Sequence, residues 1–244
     1  MARQMPYMKF ILPTAPTRRV TMNMGMPMPA WYDITGLDER SNENSPGLED
    51  SVEIIRKILE SEHKSSGLPY SRMMLGGFSM GGALSLFTGM SMPSPSQKLA
   101  GIAVLSGYLV AAKKLKVTKG LESTPIFHGH GTSDPLVIHS NAVKSKQYML
   151  EHGVTSYQLK SYQGMQHTVI PEEIRDWLNF CVGVLPPDGH GFKVTLKDPA
   201  DMSVKELKEA IRNAGLASKA VGLMEKSEFV KLLNDHRNDH ASSE

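Results

Sequence analysis

A chain of 244 residues, 40% of them hydrophobic, can bury one sizeable core, or a medium one plus a small one, and is too apolar for bulk disorder. Its 27 basic and 25 acidic residues leave a formal charge of +2, which gives no electrostatic case for a nucleic-acid or membrane-surface protein. A lone cysteine, Cys181, excludes an intrachain disulfide framework and fits a reducing compartment.

The N-terminus, Met1 to Phe10, lacks the apolar stretch of a secretory leader, and no apolar run reaches the ~18 residues of a membrane span; a cytoplasmic protein is expected. Lys9 to Pro13 reads as a short buried strand. From Pro13 to Asn44 the chain is rich in Pro, Met, Thr and Gly without a period of 2 or 3.6, and reads as one long loop. Met22, Met24, Met26, Met28 and Trp31 make that loop apolar and adaptable. Leu48, Val52, Ile55 and Leu59 predict a helix over 48–64, closed by Gly67 and Pro69. Strands are expected over 72–77, 99–107, 125–128 and 156–162, and helices over 81–90, 139–152 and 171–184. The last has Pro171 near its first position and an apolar face of Ile174, Trp177, Leu178, Cys181 and Val182, so Cys181 reads as core filler. Strands alternating with helices indicate an α/β fold with a mostly parallel sheet.

Pro186-Pro187-Asp188-Gly189 marks a linker. Beyond it Ser203-Val204-Lys205-Glu206 fits a capping box, and Val204, Leu207 and Ile211 share a helix face. A connection from Gly215 to Gly222 leads to a second helix with Phe229, Leu232 and Leu233. The organisation read from the sequence is an α/β domain over 1–186, a linker over 187–201, and a helical hairpin with a polar tail over 202–244.

Gly77-Phe78-Ser79-Met80-Gly81 matches Gly-x-Ser-x-Gly. Such a turn between strand and helix presents a serine hydroxyl on strained backbone, with glycine expected at both flanks to avoid collision. The helix N-terminus behind it favours developing negative charge, and the Met80 N–H is an expected oxyanion donor. Met73-Met74-Leu75 leads in as a strand and Gly82, Ala83, Leu84 and Leu86 lead out as a helix, which is the context the motif needs. A nucleophilic serine requires a base and the base an orienter. His167 lies on a loop between a strand and the helix starting at Pro171; Asp134 follows the strand ending at His128. Both positions fall at the carboxyl edge of a parallel sheet, where ligand sites form. Each alone has a plainer reading, a surface histidine or an Asx turn. In the order Ser79, Asp134, His167 they match the α/β-hydrolase arrangement. His128 and His130 bracket Gly129 without further ligands, so no metal site is predicted.

The stretches FILPTAPTRRVTMNMGMPMPAWYDI, MLGGFSMGGALSLFTG, LAGIAVLSGYL, FHGHGTSDPLV and YQGMQHTV, in that order, resemble the acyl-protein thioesterase / lysophospholipase-like carboxylesterase family over Lys9 to Leu185, about three quarters of the chain. The resemblance implies an α/β-hydrolase fold and Ser79, Asp134 and His167 as a catalytic triad. It implies ester or thioester hydrolysis through an acyl-enzyme, with no cofactor, on S-acylated proteins, lysophospholipids or small carboxylic esters. It also places the Met-rich loop, with Met26, Met28 and Trp31, at the acyl site. The family usually has Gln where this chain has Met80, a mild change if the backbone N–H does the work. Family members begin with further strands and a His-Gly-Leu-Gly-Asp-like loop that supplies a second oxyanion N–H. Nothing before Lys9 matches it, so the sheet is expected to lack those N-terminal strands. A second reading follows, a truncated or catalytically impaired relative acting as an acyl-binding or protein-interaction module. The C-terminal hairpin resembles SAP-like helix–extension–helix modules. From Pro187 onward nine basic residues face ten acidic ones, which favours a protein-docking role over phosphate binding.

Overall fold

Four of the apolar segments that read as strands line up as one parallel sheet in the computed structural model of the chain, which describes residues 5–36, 43–187, 198–214 and 216–241. The chain forms two units, Met1–Gly191 and Phe192–Glu244. In the first, β3 (Met74–Phe78), β4 (Gly101–Leu105), β5 (Ile126–Gly131) and β6 (Tyr157–Tyr162) pair in sequence order, all parallel. Every residue of β4 and β5 is buried; β4 is the continuous apolar run expected of a strand covered on both faces, whereas β5 buries His128 and His130 beside Ile126 and Phe127.

The register assigns the faces. Gly77, Ile102, Val104, His128 and His130 lie on one side of the sheet; Gly76, Ala103, Phe127 and Gly129 lie on the other. The first side is covered by α2 (Met80–Met90), whose Gly82 sits against Gly77 and Val104. Behind α2 packs α1 (Leu48–Ser66), which buries Leu48, Val52, Ile55 and Leu59 as predicted and runs between left-handed glycines, Gly47 and Gly67. α3 (His139–Glu151) packs on β6 and β5 and ends before Gly153, whose φ of +87° provides the expected stop. The opposite side is covered by α4 (Pro171–Val184), with Phe180 and Val184 against Gly101 and Phe180 against Phe127.

Two expectations are corrected. Lys9–Pro13 forms no strand: Phe10, Ile11 and Leu12 are exposed, and β3 pairs with β4 on one side while no described strand lies on its other side. An apolar run without a hydrogen-bonding neighbour has no ladder to join. The presumed loop from Pro13 to Asn44 contains an antiparallel hairpin, β1 (Thr17–Val20) with β2 (Met26–Pro29). It turns through Met24 and Gly25 at positive φ. Arg18 fixes it by donating from Nε to the Ala30 carbonyl at 2.8 Å. Asp33 accepts from the Thr21 N–H and hydroxyl, both at 2.7 Å.

In the second unit α5 (Val204–Asn213) starts at the predicted capping box. Ser203 Oγ accepts from the Glu206 N–H and Glu206 Oε2 accepts from the Ser203 N–H. A 3-10 turn at Ala217–Ala220 leads to α6 (Lys226–Ala241). Leu207, Ile211, Phe229 and Leu233 form a small core with Met202 and Leu216. Most of the predicted linker, residues 188–197, and Gly215 lie outside the described residues.

Candidate active site

The strand–turn–helix around Ser79 has a steric cause. Ser79 sits at φ 54°, ψ −119°, a conformation uncommon for a residue with a side chain, between the last residue of β3 and the first of α2. Its own N–H is anchored by the Leu105 carbonyl at 2.8 Å and its carbonyl by the Ala83 N–H at 3.0 Å. The backbone folds back so closely that a Cβ on Gly77 would stand 2.3 Å from the Gly81 carbonyl carbon. Gly82 is tight in turn, its Cβ position 2.8 Å from the Gly77 oxygen. Gly81, the second motif glycine, has nothing within 4 Å, so the expectation that both flanking glycines avoid collision holds only for the first. The other close approach falls one residue later, at Gly82. The Met80 N–H opens α2, where no intrahelical acceptor exists for it and the helix dipole favours an anion.

The other two predicted side chains converge on this turn. His167 Nε2 lies 3.0 Å from Ser79 Oγ, and His167 Nδ1 lies 2.8 Å from Asp134 Oδ2. Asp134 is buried, and its two oxygens divide the work. Oδ1 accepts the N–H groups of Leu136 and Val137, each at 2.9 Å, which is the Asx turn of the plainer reading; Oδ2 is left for His167. Local chemistry and turn chemistry are therefore the same residue's two halves. The loop after β6 that carries His167 is sewn to the end of β5. The Thr132 N–H donates to the Tyr162 carbonyl and the Ser133 N–H to the Met165 carbonyl. The Gly164 N–H donates to Thr132 Oγ1 at 2.9 Å. Gly131 permits this, since a Cβ there would come within 2.0 Å of the Met165 carbonyl oxygen. The Phe78 ring stands 4.8 Å from the His167 ring.

The sequence profile of the Phospholipase/Carboxylesterase family matches residues 1–184. The chain belongs to that family. Acyl-protein thioesterase 1 of Mycosarcoma maydis is 36% identical over 193 residues, 74% of this chain and 79% of that protein. Acyl-protein thioesterase 1 of Saccharomyces cerevisiae is 38% identical over 175 residues, 70% and 75%. Among solved structures, Arabidopsis thaliana SOBER1 superposes with a TM-score of 0.62 at 25% identity, covering 75% of this chain and 90% of its own. Acyl-protein thioesterase 2 of Zea mays superposes with 0.61 at 26%, covering 71% and 80%. The sheet and its flanking helices are the α/β-hydrolase fold that the sequence predicted.

Trp31 is half-buried on the core, and its backbone N–H donates to Met80 Sδ at 3.1 Å, tying the segment after the hairpin to the serine turn. Met26 and Met28 lie on the exposed β2, so the carboxylesterase-family chain presents them to solvent. Cys181 is buried, and burial pushes its thiol up to about 11, the state of an inert core side chain. Val182, expected on the same buried face, points outward; Glu173 lies inside instead. Among the described residues no three His, Cys, Asp or Glu side chains are grouped to hold a metal. What residue patterns alone missed is the close-approach role of Gly131 and Gly82 and the stitching by Thr132. The Gly-His-Gly-Thr run after an apolar strand was the available signal.

Proposed function

We propose that this chain is a serine hydrolase that cleaves carboxylic ester or thioester bonds, in S-acylated proteins, lysophospholipids or small esters, through an acyl-enzyme. The observation that carries this reading is the row Asp134–His167–Ser79, with contacts of 2.8 and 3.0 Å, on a serine held at positive φ. His167 Nε2 takes the hydroxyl proton as Ser79 Oγ bonds to the acyl carbon. Asp134 holds Nδ1–H and stabilises the imidazolium. The Met80 N–H donates to the oxyanion, and His167 passes the proton to the departing thiol or alcohol. Water then bonds to the acyl carbon, gives its proton to His167, and releases the carboxylic acid while Ser79 regains its hydrogen. The relatives' names specify acyl-protein thioesters. The apolar hairpin with Met26 and Met28, tied to the site through Trp31, supplies an adaptable surface for the acyl chain. The C-terminal hairpin is read as a docking appendage for a protein partner.

The test is hydrolysis of p-nitrophenyl octanoate and of an S-octanoyl peptide by the purified chain and by Ser79→Ala. A loss of roughly 10³-fold or more in the variant, with both substrates, is expected. Turnover that persists in Ser79→Ala would overturn the assignment. Folded protein that neither turns over these substrates nor is labelled at Ser79 by a fluorophosphonate would replace it with an acyl-binding role.

A further inference from the structure

β5 carries two histidines, His128 and His130, to which the proposed reaction gives no task. Both are fully buried. With Tyr157 of β6 they form one hydrogen-bonded row that ends at the Asp134 turn. The acceptors fix each proton. A carbonyl oxygen only accepts, so His130 Nε2, 2.7 Å from the Val137 carbonyl, carries a hydrogen and donates it there. His128 Nε2, 3.2 Å from the Gly107 carbonyl, carries one for the same reason. It also faces His130 Nδ1 at 3.4 Å, which in the neutral ring is a bare acceptor. His128 Nδ1 is then left with a lone pair and accepts the Tyr157 hydroxyl at 2.8 Å. Each ring nitrogen thus has a partner that suits the neutral form. Burial pushes both rings in that direction, His128 down to about 3.

The row ends at the carboxylate that orients the base. His130 Nε2 is 3.5 Å from Asp134 Oδ2, the oxygen that faces His167. Its N–H holds the Val137 carbonyl, while Asp134 Oδ1 holds the Val137 N–H. The turn from Asp134 to Val137 is gripped at both polar groups of its last residue. A neutral ring leaves the carboxylate's charge undivided for His167. A protonated one would set a second cation beside Oδ2, in competition with the imidazolium that forms during acyl transfer.

We infer that His130 is a positioning residue, held in one tautomer by His128 and Tyr157, that fixes the Asp134 carboxylate toward His167 through the Val137 carbonyl. The inference rests on the triad reading above. The titratable groups facing His130 are His128 on β5, Asp134 beyond it, His167 on the β6–α4 loop, and His139 of α3, whose ring centre lies 5.9 Å away.

Two substitutions separate the N–H from mere bulk. His130→Met fills the space without a donor; His130→Gln keeps an N–H near the Nε2 position. Rates of p-nitrophenyl octanoate hydrolysis are referred to serines labelled to completion by a fluorophosphonate, so unfolded protein is not counted. In His130→Met kcat is expected to fall about tenfold or more, because the carboxylate loses its placement, with KM within about twofold. The acid limb of the kcat/KM profile is expected to move to lower pH by about half a unit, as the imidazolium of His167 is held less well. His130→Gln is expected to recover most of kcat and the acid limb of the unsubstituted chain. Unchanged kcat and acid limb in His130→Met, or equal losses in both variants, would overturn the inference. Activity that survives Ser79→Ala would instead bring down the triad reading and this one with it.

Discussion

A Cβ on Gly77 would meet backbone, the Gly81 carbonyl carbon at 2.3 Å and oxygen at 2.5 Å, and backbone cannot step aside as a flexible side chain can. Gly77→Ala is therefore expected to cost more than about 2 kcal/mol of stability, through strain at a turn that the whole sheet edge supports. Gly81 meets nothing within 4 Å and has no positive φ, and it sits in the first turn of α2. Gly81→Ala is expected to be neutral or to stabilise by up to about 1 kcal/mol, since alanine is the better helix former. Urea unfolding of the two variants side by side checks this. Equal destabilisation would mean that the motif's second glycine is required by something other than space. The motif as a string treats the two glycines alike; only the path of the backbone tells them apart.

Between elements, the site depends on how closely the β6–α4 loop approaches the end of β5. Gly131→Ala would place a Cβ within 2.0 Å of the Met165 carbonyl oxygen, two residues before His167. The loop would have to withdraw, carrying the imidazole off the 3.0 Å contact with Ser79 Oγ. The expected result is a fall in kcat of about 10²-fold with a smaller change in KM, measured by steady-state ester hydrolysis. Wild-type kcat would show that the loop position does not set the base. This scale also marks where the sequence was legible. β4 is buried on both faces, so its apolar run was plain; β5 showed only Ile126 and Phe127, and its last three residues were not read as strand, while the Ser79, Asp134 and His167 loops followed from strand–helix alternation. Lys9–Leu12 carries an equally apolar run, yet a strand is a pairing, and no periodicity reports whether a partner stands beside it. The hairpin was hidden for the opposite reason: Thr-Arg-Arg-Val and Met-Pro-Met-Pro show no alternation, and its order comes from Arg18 and Asp33 bonding to distant backbone. On α4, Ile174 and Val182 were the apolar choices, but Gly129 leaves a notch on β5 that Glu173 fills, with its Oε1 2.2 Å from where a Cβ would be.

That inward carboxylate bears on the stability of the whole molecule. Both Glu173 oxygens are buried without a hydrogen-bond partner among the described residues. Burial, with the charge of Asp176 nearby, raises its pKa from 4.5 to about 7. The folded state then binds this proton more tightly than the unfolded chain. The stabilisation is fully present below about pH 4.5 and is lost as pH rises through about 7, by about 3 kcal/mol at most. On the other face of the same strand His128 works in the reverse sense. Its pKa is lowered from 6.5 to about 3, so the unfolded chain binds the proton more tightly and stability is lost as pH falls from 6.5 toward 3. Between pH 4.5 and 6.5 Glu173 opposes His128 and His130, and the melting temperature of the unsubstituted chain is expected to climb less with pH than the histidines alone would make it. Glu173→Gln removes that opposition. Its buried amide adds an offset that does not depend on pH, so the diagnostic quantity is the difference between the two melting curves. That difference should move in favour of Glu173→Gln as pH rises from 4.5 to 7.5, and the variant alone should show stability climbing through pH 5–6, at up to about 1.4 kcal/mol per unit from His128 with a further contribution of the same sign from His130. Thermal melts at constant ionic strength decide it. Parallel curves for the two proteins would mean that Glu173 is ionised in the folded state across the range, and that the notch at Gly129 admits enough water to solvate it.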